Sequence, residues 1–136
     1  MPTSLTHAIA GAARVELLDS IAAATPAMAG RVIACGSHGG LSAARYAAGV
    51  RPAFVVFNDA GGGRDGAGVR GLDWLDGAGI AAAAVSHDSA RIGEARSTLD
   101  DGVVSHLNRA AAALGVRIGM TCAEAVGRAL AHCGAR

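Results

Sequence analysis

The stretch Arg31-Val32-Ile33-Ala34-Cys35-Gly36-Ser37-His38-Gly39-Gly40-Leu41-Ser42-Ala43-Ala44-Arg45-Tyr46-Ala47-Ala48 decides the fold. An apolar run enters a glycine-rich turn, and an alanine-rich run suited to a helix leaves it. The continuous apolar run predicts a strand over 31–35, buried on both faces. The run after the turn predicts a helix over about 41–48, closed by Gly49. Strand, glycine turn and helix together offer free backbone N–H groups at a helix N-terminus to an anion. The same turn sets a hydroxyl, Ser37, beside an imidazole, His38.

The alternation continues downstream. Pro52 resets the chain, and Ala53 to Phe57 reads as a second buried strand ending in Asn58-Asp59-Ala60-Gly61. Val69, Leu72 and Leu75 mark a helix over about 68–77, with Trp74 off its apolar stripe. Ile80 to Val85 reads as a third buried strand ending in Ser86-His87-Asp88-Ser89. Short connections between doubly buried strands imply a parallel sheet with helices on its faces. The expectation is an α/β domain of three layers, with a mainly parallel sheet of about four strands.

The flanks read less clearly. Residues 1–13 show no period and suggest a loose N-terminal arm. Over 14–24 both strand and helix periods fit, and a strand at 14–18 is preferred. Ser97 or Thr98, with Asp100 or Asp101 three residues on, suggests a capped helix running to about 114, with Val103, Leu107, Ala110 and Leu114 as its stripe. Ser105, His106 and Asn108 would lie beside that stripe. Thr121-Cys122-Ala123-Glu124 is a second capping box, opening a last helix to about Cys133 with Val126, Leu130 and Cys133 on its apolar face.

Composition bounds the function. The chain has 136 residues, enough for one domain, residues 1–136, with a proper core. It is 51% hydrophobic but only 3% aromatic, so the core is aliphatic. So apolar a short chain suggests a homo-oligomer. The net charge is +1, without a basic run or aromatic platform, which argues against nucleic acid. Every basic residue is arginine, which excludes Schiff-base and phosphate-loop lysine chemistry. The longest apolar run, Ile80 to Val85, is too short to span a membrane, and no leader pattern opens the chain. Cys35, Cys122 and Cys133 lack framework spacing and read as reduced thiols of a cytoplasmic protein. Cys35, at the end of a buried strand, should be inert, whereas Cys122 near a helix N-terminus should have a lowered pKa.

In a parallel sheet, ligands bind outside the carboxyl ends of the strands. Three successive strands here end in Ser37-His38, Asn58-Asp59 and His87-Asp88-Ser89. The expected catalytic residues are therefore Ser37, His38, Asp59 and His87. His38 or His87 would move a proton, Asp59 would orient the base, and Ser37 or an activated water would attack. Expected binding residues are Gly36, Gly39, Gly40, Asn58, Gly61, Ser89 and Arg91. The Gly39 and Gly40 N–H groups would hold an oxyanion, and Arg91 the acid group of a small anion.

Gly61-x-Gly63-x-x-Gly66 and Gly66-x-Gly68-x-x-Gly71 both fit a dinucleotide fingerprint. They do not follow the first strand, and the domain is short for that fold. Ala67 stands where a phosphate-loop lysine would be. His38, Asp59 and His87 lack short ligand spacing. No cofactor and no metal are expected.

The spacing Cys35-Gly36-Ser37-His38-Gly39 resembles the nucleophile elbow of α/β-hydrolases, and Ser37, Asp59 and His87 follow that family's order. The resemblance is confined to these residues: Cys35 replaces the first glycine, and that family's sheet has eight strands. The motifs GSHGG at 36–40, NDAG at 58–61 and ARIG at 90–93 together resemble those of small bacterial α/β proteins without an assigned activity. That resemblance spans about residues 31–125 and implies a common site but no reaction. The sequence thus reads as a hydrolase of an amide or ester of a small anionic metabolite. The alternatives are a non-catalytic binding module for an anionic metabolite or nucleotide, and an accessory subunit of a larger enzyme.

Overall fold

The computed structural model describes residues 6–10 and 13–134. Six strands form one sheet in sequential order: β1 (Thr6–Ala10), β2 (Ala13–Leu18), β3 (Val32–His38), β4 (Phe54–Asn58), β5 (Ala81–Val85) and β6 (Val104–Leu107). β2 to β5 are parallel, and β1 and β6 add antiparallel edges. The helices are α1 (Leu41–Val50), α2 (Arg70–Gly77), α3 (Ala95–Asp101), α4 (Arg109–Ala113) and α5 (Cys122–Gly134).

Alternate residues of each strand point to opposite faces. Ile33, Cys35, Val55, Phe57, Ala82 and Ala84 meet Ala43, Ala44 and Ala47 of α1 and Leu72 and Leu75 of α2. Val15, Leu17, Val32, Ala34, Phe54 and Val56 meet Ala95 and Leu99 of α3 and Ala125, Val126 and Ala129 of α5. This is the three-layer α/β arrangement. β3–α1–β4 and β4–α2–β5 advance in one direction, and right-handed crossovers then put both helices on one face.

The strand order never reverses; the change of side comes after β5. Residues 86–94 leave β5, cross the carboxyl ends of β4 and β3, and deliver α3 to the opposite face. Two bonds tie this crossing segment down. The Asn58 amide donates to Ala90 O at 3.1 Å, and Gly93 N–H donates to Gly36 O at 2.7 Å.

Two expectations are corrected. Residues 6–10 of the supposed loose arm form β1, paired to β2, and Ala13 opens β2; the remainder of that arm, 1–5 and 11–12, lies outside the described residues. The helix expected to run to about 114 is broken into α3, β6 and α4. α3 ends with Gly102 as its cap, and only glycine fits there, because a Cβ would stand 2.4 Å from Thr98 O and 2.7 Å from Val85 Cγ1. The stripe misleads: Val104 is 1% exposed, whereas Val103 is 38% exposed. Asn108 caps α4 by accepting from Ala111 N–H at 3.0 Å, and also accepts from Ala82 N–H of β5 at 3.1 Å.

Candidate functional site

The ends of β3, β4 and β5 share one edge. Gly39 N–H donates to Asn58 O at 3.1 Å, and Asp59 N–H to Val85 O at 2.8 Å. Within this edge the turn at 36–40 is self-contained. Gly40 N–H donates to His38 Nδ1 at 3.1 Å, so the imidazole closes its own turn. Both N–H groups expected to hold an oxyanion are thus engaged inside the protein. Ser37 Oγ accepts from Ile21 N–H at 3.0 Å, on the β2 side of the edge. No hydrogen bond joins Ser37 to a histidine or carboxylate among the described residues, so its hydroxyl serves the 3-10 turn at Ile21–Ala23. Ser37→Ala should leave any turnover within about twofold and destabilise the fold by about 1 kcal/mol, the usual cost of a lost cap. Steady-state rates and urea unfolding of the same preparation test both.

Asp59 and His87, by contrast, come together. Asp59 is 5% exposed. Its Oδ1 accepts from Gly61 N–H at 2.8 Å and from His87 N–H at 3.0 Å, and stands 3.4 Å from His87 Nδ1. Its Oδ2 accepts from Ser105 Oγ–H at 2.7 Å and stands 3.8 Å from His106 Nδ1. Ser105 Oγ is in turn 2.9 Å from His106 Nδ1. A single buried carboxylate therefore stands beside one imidazole directly and reaches a second through the Ser105 hydroxyl. Burial alone pushes the Asp59 carboxyl up. The Ser105 hydroxyl, the Gly61 and His87 N–H groups and His106 outweigh it and hold the group below its ordinary value. Its stabilising contribution is therefore complete above the unfolded carboxyl pKa of about 3.9 and is lost as pH falls through the lower folded value.

Ser105 and His106 lie in the stretch whose spacing suggests a helix, and neither is among the expected site residues. Pairing explains how neighbours in sequence both reach Asp59. Ala84 pairs with His106 and Val85 with Val104, which leaves Ser105 as the extra residue of a β-bulge. A bulge breaks strand alternation and re-aims a side chain.

Two cavities flank the crossing segment, with Ile92 on the wall of both. The larger, about 530 Å³, is lined by His87, Asp88, Ser89, Arg91, Ser97 and Asp101 among others. Arg91 is its one arginine, with a side chain 80% exposed and 3.9 Å from Glu94. The smaller, about 330 Å³, holds Ser37, His38, Ser42 and Tyr46. Of the remaining expected residues, Asn58 is fully buried, and its Oδ1 accepts from Ala60 N–H. Gly36 lies under the crossing segment. Ser89 Oγ donates to Ser86 O and accepts from Val103 N–H.

Cys35 is fully buried, and burial pushes its thiol up to about 12. Cys122 departs from expectation. It too is fully buried, and burial raises its thiol to about 12, outweighing its place at a helix start. Among the described residues no group of three or more His, Cys, Asp or Glu is arranged to hold a metal ion. None of their helices is long and apolar enough to cross a membrane. No family model, no curated protein and no solved structure matches this chain.

Proposed function

We propose that the protein is a hydrolase of an amide or ester of a small carboxylic acid, with His87 activating the attacking water. The observation that carries this reading is the buried Asp59 carboxylate against His87 Nδ1, with the ring on the wall of the 530 Å³ cavity. A carboxylate at Nδ1 fixes the tautomer, leaves Nε2 to take the water's proton and stabilises the imidazolium that forms. Asp88 Oδ1 lies 3.2 Å from Nε2, but its side chain is 86% exposed and free to swing aside. Arg91 is matched to the substrate's acid group. Asp88 and Asp101 line the same cavity and disfavour a second negative charge. A non-catalytic module built on free N–H groups of the 36–40 turn has less support, because those groups are engaged.

The test is acid release from fumaramate and from the monoethyl and mono-4-nitrophenyl esters of fumarate. The trans double bond keeps the free carboxylate from attacking its own ester. Turnover abolished in His87→Ala supports the reading; its full retention there, or no turnover by the native chain, refutes it. Arg91→Gln should raise KM about 10-fold or more and change kcat less, since a charged hydrogen-bond pair is worth about 1.5–3 kcal/mol.

A further inference from the structure

We infer that the substrate carries an ammonium group beside the carbonyl that is cleaved, as well as a free acid. The site then takes amides or esters of acidic α-amino acids, and Asp88 holds the ammonium. This rests on the hydrolytic reading above and deepens it by naming the substrate class.

The larger cavity is lined by charges of both signs, Arg91 on one side of the account and Asp88 and Asp101 on the other, together with His87. These charges are not spent on one another. Arg91 meets Glu94, at 3.9 Å, and neither carboxylate of the cavity. Asp101 Oδ2 accepts from Ser97 Oγ–H at 3.0 Å, and Ser97 Oγ accepts from Arg91 N–H at 2.9 Å. Among the described residues Asp88 has an ion-pair contact with His87 and with no arginine. A cavity whose acidic and basic groups stay unpaired is complementary to a ligand that carries both signs. A purely anionic substrate would satisfy Arg91 and leave two carboxylates facing it. A zwitterion leaves the net charge of the cavity as it is.

Asp88 fixes where the ammonium belongs. Its Oδ1 lies 3.2 Å from His87 Nε2, the atom that takes the proton of the attacking water. That water must touch both Nε2 and the carbonyl carbon, so this carboxylate is a near neighbour of the reacting carbonyl. Negative charge develops on the carbonyl oxygen as water adds, and an unpaired carboxylate beside it opposes the reaction. Asp88 must also leave Nε2 before water can bind there, and its exposed side chain needs a partner elsewhere. An ammonium on the carbon next to the carbonyl meets both needs. It draws Asp88 off the imidazole and offsets its charge at the oxyanion. Arg91, farther along the crossing segment, takes the acid at the other end of the substrate.

The reaction balances with water alone. The hydroxyl goes to the carbonyl carbon, the C–N bond breaks, and the proton goes to the departing nitrogen. The products of such an amide are the amino acid and ammonia.

Ammonia release from three amides at neutral pH tests this, with the protein-free rate subtracted. Succinamate has the acid and no amine. Isoasparagine, the α-amide of aspartate, adds an ammonium beside the scissile carbonyl, whereas asparagine adds it beside the acid; both are used as racemates. The native chain should favour isoasparagine over succinamate by about 10-fold or more in kcat/KM, the worth of one charged hydrogen bond. Asparagine should stay near succinamate. An ammonium also activates the carbonyl next to it, so the ratio is read again in Asp88→Asn, where it should fall by about 10-fold. A native ratio near one overturns the substrate class. A ratio unchanged in Asp88→Asn, or lost in Asp101→Asn and kept in Asp88→Asn, overturns the assignment to Asp88. In each of these cases fumaramate turnover that depends on His87 leaves the hydrolytic reading standing. No turnover of the fumarate derivatives or of any of the three amides overturns both.

Discussion

Replacing His87 by alanine is expected to lower turnover of the fumarate half-esters by about 10²- to 10⁴-fold, the range for a lost general base. The fold should survive, because the side chain is half exposed. What holds the edge together there is the His87 backbone N–H on Asp59 Oδ1, which alanine retains. Urea midpoints of the two proteins should therefore agree closely while their rates differ. His38→Ala should behave in the opposite sense. Its Nδ1 supports Gly40 N–H, so its loss should cost stability and leave most of the activity.

The second large effect is on the fold. Gly36→Val should destabilise the protein by about 3 kcal/mol or more, the upper range for forcing atoms into a packed site. A Cβ at Gly36 would stand 2.4 Å from Glu94 N, 2.4 Å from Gly93 C and 2.6 Å from Asp19 O. All three are backbone atoms, so no side chain can turn away to make room. Relief requires the crossing segment to lift, which breaks the Gly93–Gly36 bond and reshapes both cavities. Activity should fall with stability. Gly49→Ala is the control: nothing lies within 4 Å of a Cβ there, and a helical alanine should gain about 0.5–1 kcal/mol. Urea unfolding of both variants separates steric crowding from helix propensity.

These effects show where sequence was sufficient. Doubly buried strands announce themselves as short apolar runs, and β3, β4 and β5 appear where Val32, Phe54 and Ala81 begin them. Parallel strands align their carboxyl ends, so Asp59 and His87 follow as neighbours from strand order alone. The route of 86–94 does not follow. Its polar residues look like any loop, and the bonds that hold it, from Asn58 to Ala90 and from Gly93 to Gly36, join distant residues. Ser37 shows the same limit. A strand–turn–helix serine suggests a nucleophile, but its partner is Ile21 N–H, sixteen residues back. His106 is hidden for a different reason. Leu107, Ala110 and Leu114 fall at helical spacing, and a four-residue edge strand with a bulge has no period of its own. A glycine before two β-branched residues, Gly102-Val103-Val104, is the available signal that the helix ends.

The central claim is that Asp59 and His87 act as one unit on the substrate. The direct measurement is a double-mutant cycle on kcat/KM for monoethyl fumarate hydrolysis, with Asp59→Asn, His87→Ala and both together. The asparagine amide can still accept from the neighbouring N–H groups but carries no charge to fix or stabilise the imidazole. Groups that act as a unit are strongly non-additive, so the double variant should be no slower than the slower single one. Losses that multiply, each variant costing its full factor in the presence of the other, would contradict the account.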